Sequence, residues 1–168
     1  LGGIRVTPAY DTRVASVSTN YGPWGYADWD GGYCLWTGWT HDGNDKYDIA
    51  VIQLGRAVGA LSGWVGYGST GTCDLFRSNA WLVNFKTAYG TMHRWGAFDS
   101  CPNDHEARFD RDSSANEVGA GYYTYINGSP YVFGVLSHEN SGGASSDVVR
   151  LTSDLFGDVD RYLLDART

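Results

Sequence analysis

Tyr122-Tyr123-Thr124-Tyr125-Ile126-Asn127-Gly128-Ser129-Pro130-Tyr131-Val132-Phe133-Gly134-Val135-Leu136-Ser137 reads as a β-hairpin, two tyrosine- and valine-rich runs around an Asn-Gly turn. The same grammar recurs on either side. Asp48 to Leu54 is a short, β-branched apolar run of the kind that forms a buried strand. Gly63 to Gly68 reads as a glycine-laced strand, and Asp147 to Leu151 as another. Only the end is helical. Ser153 can cap, Asp154 suits a first turn, and Leu155, Phe156, Val159, Tyr162 and Leu163 recur with helical spacing. Many short strands closed by one helix predict an all-β protein of paired barrels or a sandwich. There is no internal repeat or low-complexity linker, and the internal boundary falls near residues 56–62.

At 168 residues the chain is one large domain or two small barrels sharing an interface. Charged residues make up 18% and aromatics 15%, with 23 glycines, a balance that points to a secreted all-β protein. The net charge of −7, with no basic run longer than two residues, excludes nucleic acid and anionic membranes as partners. No stretch approaches the ~18 apolar residues of a membrane span. Leu1 to Arg5 lacks the features of a signal peptide, so the sequence reads as a mature product or a fragment of one.

Three cysteines, Cys34, Cys73 and Cys101, leave one over in any disulfide scheme and match no zinc spacing. The odd thiol is either a small buried hydrophobe or the partner of a segment outside this chain. Asn127-Gly128-Ser129 is a glycosylation sequon in keeping with secretion, as well as good turn chemistry. Asp28, Asp30, Asp42, Asn44 and Asp45 offer oxygen ligands, but they lack calcium-loop spacing and a terminal Glu. Asp42-Gly43-Asn44-Asp45 is therefore expected to be a plain turn, and neither a metal nor a cofactor is expected.

Five segments in order carry a family resemblance. Trp39-Thr40 with Tyr47 to Leu54, Gly63 to Tyr67, Phe98-Asp99-Ser100-Cys101, Tyr131 to Ser137, and Val149 to Ser153 resemble chymotrypsin-fold serine proteases, especially the secreted glutamyl-endopeptidase-like branch. The resemblance covers roughly residues 36–164. It implies a double six-stranded β-barrel with the first barrel truncated: a partial N-terminal barrel over 1–60, a C-terminal barrel over 61–152, and a closing helix over 153–168. It also fits Cys73 and Cys101 as the intrachain disulfide, leaving Cys34 for an inter-chain bond.

Such proteases use a Ser-His-Asp triad in which His takes the serine proton and Asp fixes the His tautomer. Asp48 fits the aspartate position; without a triad it is expected to be a buried carboxylate accepting backbone hydrogen bonds. Family members carry Gly-x-Ser-Gly at the nucleophile. Here the segment is Asn116-Glu117-Val118-Gly119, so Val118 stands at the nucleophile and Asn116 at the oxyanion-hole glycine. Val118 lies 19 residues before Ser137, the separation expected of the family hairpin. An isopropyl group has no lone pair to activate. Ser113 is an alternative nucleophile, but it puts Arg111 at the oxyanion position and lengthens the hairpin by five residues.

No histidine has the context of the triad base. His41 lies in a loop seven residues before Asp48, His93 in the second barrel, and His105 after a polar turn. His138 follows Ser137 on the strand that lines the specificity pocket, and Glu139 beside it would charge the pocket entrance. The missing first strands imply a second chain or a rearranged N-terminal segment to close the barrel. These departures predict a secreted, non-catalytic protease homologue that binds or assembles, as a heterodimer in one form. A carbohydrate-binding protein is the alternative, drawing on Trp24, Trp29, Trp36 and Trp39 with Tyr21, Tyr26 and Tyr33. The last alternative is an active endopeptidase with a misassigned nucleophile and a histidine from another chain.

Overall fold

The computed structural model describes residues 3–8, 24–77, 81–86, 91–95, 100–110, 117–140 and 144–165, with backbone only at 81–86, 91–95 and 163–165. The elements in chain order are β1 (Arg5–Val6), β2 (Ala27–Leu35), α1 (Thr37–Thr40), β3 (Ala50–Leu54), α2 (Gly59–Ser62), β4 (Gly66–Tyr67) and α3 (Asp74–Arg77). There follow β5 (Trp81–Lys86), β6 (Thr91–Trp95), β7 (Glu106–Phe109), β8 (Gly121–Ile126), β9 (Ser129–Glu139), β10 (Ser146–Arg150) and α4 (Ser153–Asp165). A 3₁₀ turn at Asp45–Tyr47 precedes β3.

The strands form two sheets, one three-stranded in the order β1-β2-β3, and one seven-stranded in the order β6-β5-β8-β9-β10-β7 with β4 alongside β9. The architecture is all-β with a C-terminal helix, as the resemblance implies; neither sheet closes into a barrel among the described residues. The hairpin forms around Asn127 (φ 51°) and Gly128 (φ 80°), and both left-handed residues suit a primed turn whose twist matches the strands. The glycine-laced strand is shorter than its sequence suggests. Gly66–Tyr67 alone pairs, parallel to Tyr131–Val132, while residues 63–65 lie outside any strand.

β10 organises the interior, with all five residues buried. Val148 enters a cluster with Phe76, Ala107, Phe109, Tyr122, Phe133 and Leu136. Val149 faces Trp36, Ile49, Leu151, Leu155 and Val159, so this second cluster ties the first sheet and α4 to the second sheet. Each buried Val, Leu, Ile or Phe side chain among them contributes about 1.5–3 kcal/mol. At Gly134 any β-carbon would come within 2.6 Å of Val148 Cγ1 and 2.7 Å of the Val149 carbonyl oxygen, so β9 and β10 pack closely only because this residue is glycine.

Two polar devices hold the ends. Arg150 is buried and donates to the carbonyls of Asp104 (3.0 Å) and Thr70 (3.0 Å), pinning the loops on either side of the Cys73–Cys101 disulfide. Burial lowers its pKa from the ordinary arginine range. Helix α4 takes its cap one residue earlier than the sequence suggests. The Phe156 N–H donates to the Thr152 carbonyl at 2.8 Å, and the Thr152 hydroxyl donates to the Asp154 carboxylate.

Candidate functional site

The site grows from an irregularity between β9 and β10. Asp147 stands opposite His138 and Val148 opposite Leu136, so Ser137 is an extra residue on β9 with no partner across the ladder. A bulge of this kind re-aims side chains. Ser137, 5% exposed, donates its hydroxyl proton to Asp48 Oδ2 at 2.7 Å. Asp48 is presented by the 3₁₀ turn before β3, where its N–H donates to the Asp45 carbonyl at 3.1 Å. The carboxylate partner is thus a side-chain hydroxyl rather than the backbone groups expected from sequence. The contact joins the two sheets.

On the other side of Ser137, His138 Nδ1 lies 3.1 Å from the same Oγ. A hydroxyl has one proton, and Ser137 gives it to Asp48, so the Oγ accepts from a protonated Nδ1. His138 Nε2 then points at Asp147 Oδ2, 3.5 Å away. Asp147 is 2% exposed and held by the Arg108 fork, Nε to Oδ1 at 2.8 Å and Nη2 to Oδ2 at 2.8 Å. Arg108 Nη2 also donates to Asn140 Oδ1 at 3.3 Å. Glu106, two residues before Arg108 on the same face of β7, is 8% exposed and accepts from Asn103 Nδ2. One ligand atom each from Glu106, His138 and Asp147 lies within 4.8 Å of the others.

Ser137, His138 and Asp147 have the residue types of a catalytic triad, but the proton flow is wrong. A nucleophilic serine gives its proton to histidine; here it goes to Asp48, and the oxygen is buried.

The turn that carries Val118 is clamped beside this cluster. The Gly119 N–H donates to the Leu136 carbonyl at 2.8 Å, and the Leu136 N–H donates to the Ala120 carbonyl at 2.9 Å. Val118 is therefore adjacent, through the backbone, to the residue before Ser137. Val118 is 51% exposed. Ser113 and Asn116 lie outside the described residues. His105 Nε2 meets Asp154 Oδ2 at 3.3 Å, and its ring packs 5.3 Å from that of Tyr47. His41 is exposed in the turn after α1, and the side chain of His93 is not among those described. Among the described residues no imidazole reaches Asp48. Glu139 is exposed and pairs across the ladder with Ser146.

Other candidates fall elsewhere. Asn127 is exposed at the hairpin turn. Asn44 Oδ1 accepts from the Lys46 N–H at 3.2 Å, so Asp42 to Asp45 forms a turn capped by its own asparagine. Cys34 is a free thiol in the wall of a cleft of about 330 Å³, lined also by Trp36, Asp158, Arg161 and Tyr162. Burial, then the Asp158 charge, pushes its pKa up. Trp36 is core, with Nε1 donating to Asp158 Oδ2 at 3.1 Å, and Trp29 Nε1 donates to the Gly32 carbonyl at 2.9 Å. Trp24, Tyr26, Tyr33 and Trp39 remain exposed, and Tyr21 lies outside the described residues.

Comparison with solved structures fits this geometry. A glutamyl endopeptidase solved in complex with MPD superposes with a TM-score of 0.68 at 14% identity, over 83% of this chain and 65% of that one. The protease Anisep from Arthrobacter nicotinovorans gives 0.67 at 14%, over 83% and 68%. A thermostable serine protease, AL20, from an extremophilic microorganism gives 0.70 at 13%, over 98% and 75%. This chain has the chymotrypsin-type serine-protease fold. No family model and no curated protein matches the sequence, so the likeness speaks for the fold. The chain spans about two thirds of the length of the glutamyl endopeptidase it matches.

The sequence names Asp48, Ser137 and His138, which the structure brings together, while Glu106, Arg108 and Asp147 beside them were not singled out. A signal was present: Asp147 and Arg150 are charged residues inside a run that otherwise reads as a fully apolar strand.

Proposed function

We propose that this protein keeps the protease scaffold and acts by binding, not by cutting peptide bonds. The observation that carries the reading is Val118, held by the Gly119–Leu136 hydrogen bond of 2.8 Å beside the strand whose Ser137 contacts Asp48. That neighbourhood supports its assignment to the nucleophile position, and valine supplies no nucleophile. The Cys73–Cys101 disulfide supports a secreted protein in an oxidising compartment.

The bound partner on this reading is another polypeptide docking at the first sheet. Among the described residues one edge of β3 has no ladder partner, and Val51, Ile52 and Leu54 along it are only half-buried. A screen of mixed peptide substrates with the native protein tests the central point: no turnover above buffer is expected, and cleavage lost on mutating any single residue would overturn it. Solution mass by light scattering, with and without reductant, tests the partner. A native mass equal to the single chain under both conditions contradicts it.

A further inference from the structure

We propose that Glu106, His138 and Asp147 bind a divalent zinc-class cation. The argument starts from the proton count around Ser137. Its single proton goes to Asp48 at 2.7 Å, so His138 must carry its own proton on Nδ1 to face the Ser137 oxygen at 3.1 Å. Nε2 is the ring nitrogen left to face the carboxylates. It lies 3.5 Å from Asp147 Oδ2. Glu106 brings a second carboxylate alongside, all three ligand atoms lying within 4.8 Å of one another. Two carboxylates and an imidazole in one place call for positive charge, supplied by a proton or by a metal ion.

Arg108 does not meet that requirement. Its fork takes one lone pair on each Asp147 oxygen, with Nη2 at 2.8 Å from Oδ2, and leaves the second lone pair of Oδ2 for another partner. In charge, the two carboxylates outnumber the one guanidinium. Either a proton on Nε2 or a metal ion can fill the gap.

The His138–Asp147 pair is spaced for the metal. Two ligands at zinc bond lengths of 2.0–2.1 Å and a tetrahedral angle sit roughly 3.3 Å apart, close to the observed 3.5 Å between Nε2 and Oδ2. One imidazole nitrogen with two carboxylates is a donor set zinc accepts, with water in the fourth position. The ligands come from three neighbouring strands, β7, β9 and β10, so the sheet holds them rigidly. Supporting contacts of the expected kind are in place, with Ser137 orienting the second ring nitrogen and Asn103 donating to Glu106. His138 is 31% exposed at its side chain, which gives an ion a route in from solvent.

The test uses the native protein, stripped with a chelator and titrated calorimetrically with zinc chloride at neutral pH. One equivalent should bind, with H138Q and E106Q each weakening it at least tenfold and S137A about tenfold through the lost orientation of the ring. H138Q alters a half-exposed side chain, and circular dichroism checks that each variant is folded. X-ray absorption of the loaded protein should show mixed nitrogen and oxygen ligands without sulfur. No uptake would mean that a proton holds the site and would overturn the proposal. Uptake unchanged in both H138Q and E106Q, or sulfur coordination, would overturn it as well.

Discussion

Removing the Ser137 hydroxyl should loosen the joint between the two sheets by a measurable, cooperative amount. The bond to Asp48 is short, at 2.7 Å, and its acceptor is a carboxylate. Hydrogen bonds to charged groups contribute about 1.5–3 kcal/mol. Asp48 is only half-buried, so the lower part of that range applies, and S137A should cost about 2 kcal/mol. D48A removes the acceptor from a hydroxyl that is 5% exposed, and leaving that group unsatisfied should cost about 1–3 kcal/mol. The double variant should cost less than the sum by about 1–2 kcal/mol, because the second substitution removes a contact already lost. Urea unfolding followed by tryptophan fluorescence reads this out. At an m-value of roughly 2 kcal/mol/M, S137A shifts the midpoint by about 1 M. Additivity within about 0.3 kcal/mol would refute the contact.

Other outcomes follow from single features of the fold. G134A forces a β-carbon to within 2.7 Å of the Val149 carbonyl oxygen, a backbone atom that cannot step aside; it should cost about 3 kcal/mol or abolish soluble expression, and a wild-type urea midpoint would contradict the packing. Replacing Cys73 and Cys101 together by serine opens a loop of sequence separation 28; chain-entropy arguments give a loss of about 3–4 kcal/mol, checked by the same unfolding assay. Asp154 is held below the usual carboxylate range by the Thr152 hydroxyl first and by His105 and backbone N–H groups after it. A depressed folded-state pKa stabilises above the ordinary aspartate value and is lost as pH falls through the folded one. The urea midpoint should therefore drop below about pH 4, and less steeply in D154N; identical slopes would contradict the linkage. The effect is small, since the Asp154 side chain is 59% exposed.

The parts of the fold that were legible in the sequence are those set by local rules. Asn127-Gly128 announces its turn because few other pairs accept two left-handed conformations in succession. The apolar run after Asp48 announces β3, although the strand begins only at Ala50 because the preceding 3₁₀ turn takes up Tyr47. Capping was harder to place. Thr152 and Ser153 are both good caps, and only the Phe156-to-Thr152 hydrogen bond chooses between them. The Gly63 to Gly68 strand misled because glycine-spaced aromatics imitate alternation, while pairing is limited to the two residues that reach β9. The polar cluster was the least visible. Arg108 and Asp147 are separated by 39 residues, and nothing local tells that two strands pairing with β10 from opposite sides bring Glu106 and His138 to the same carboxylate.

The central claim, that this protease scaffold has no nucleophile, is tested most directly by a fluorophosphonate, which marks an activated serine by covalent attachment. The native protein should retain its unmodified intact mass after prolonged exposure, while an active serine protease in the same tube is fully labelled. A stoichiometric adduct mapped to any serine, Ser113 or Ser137 included, would contradict it.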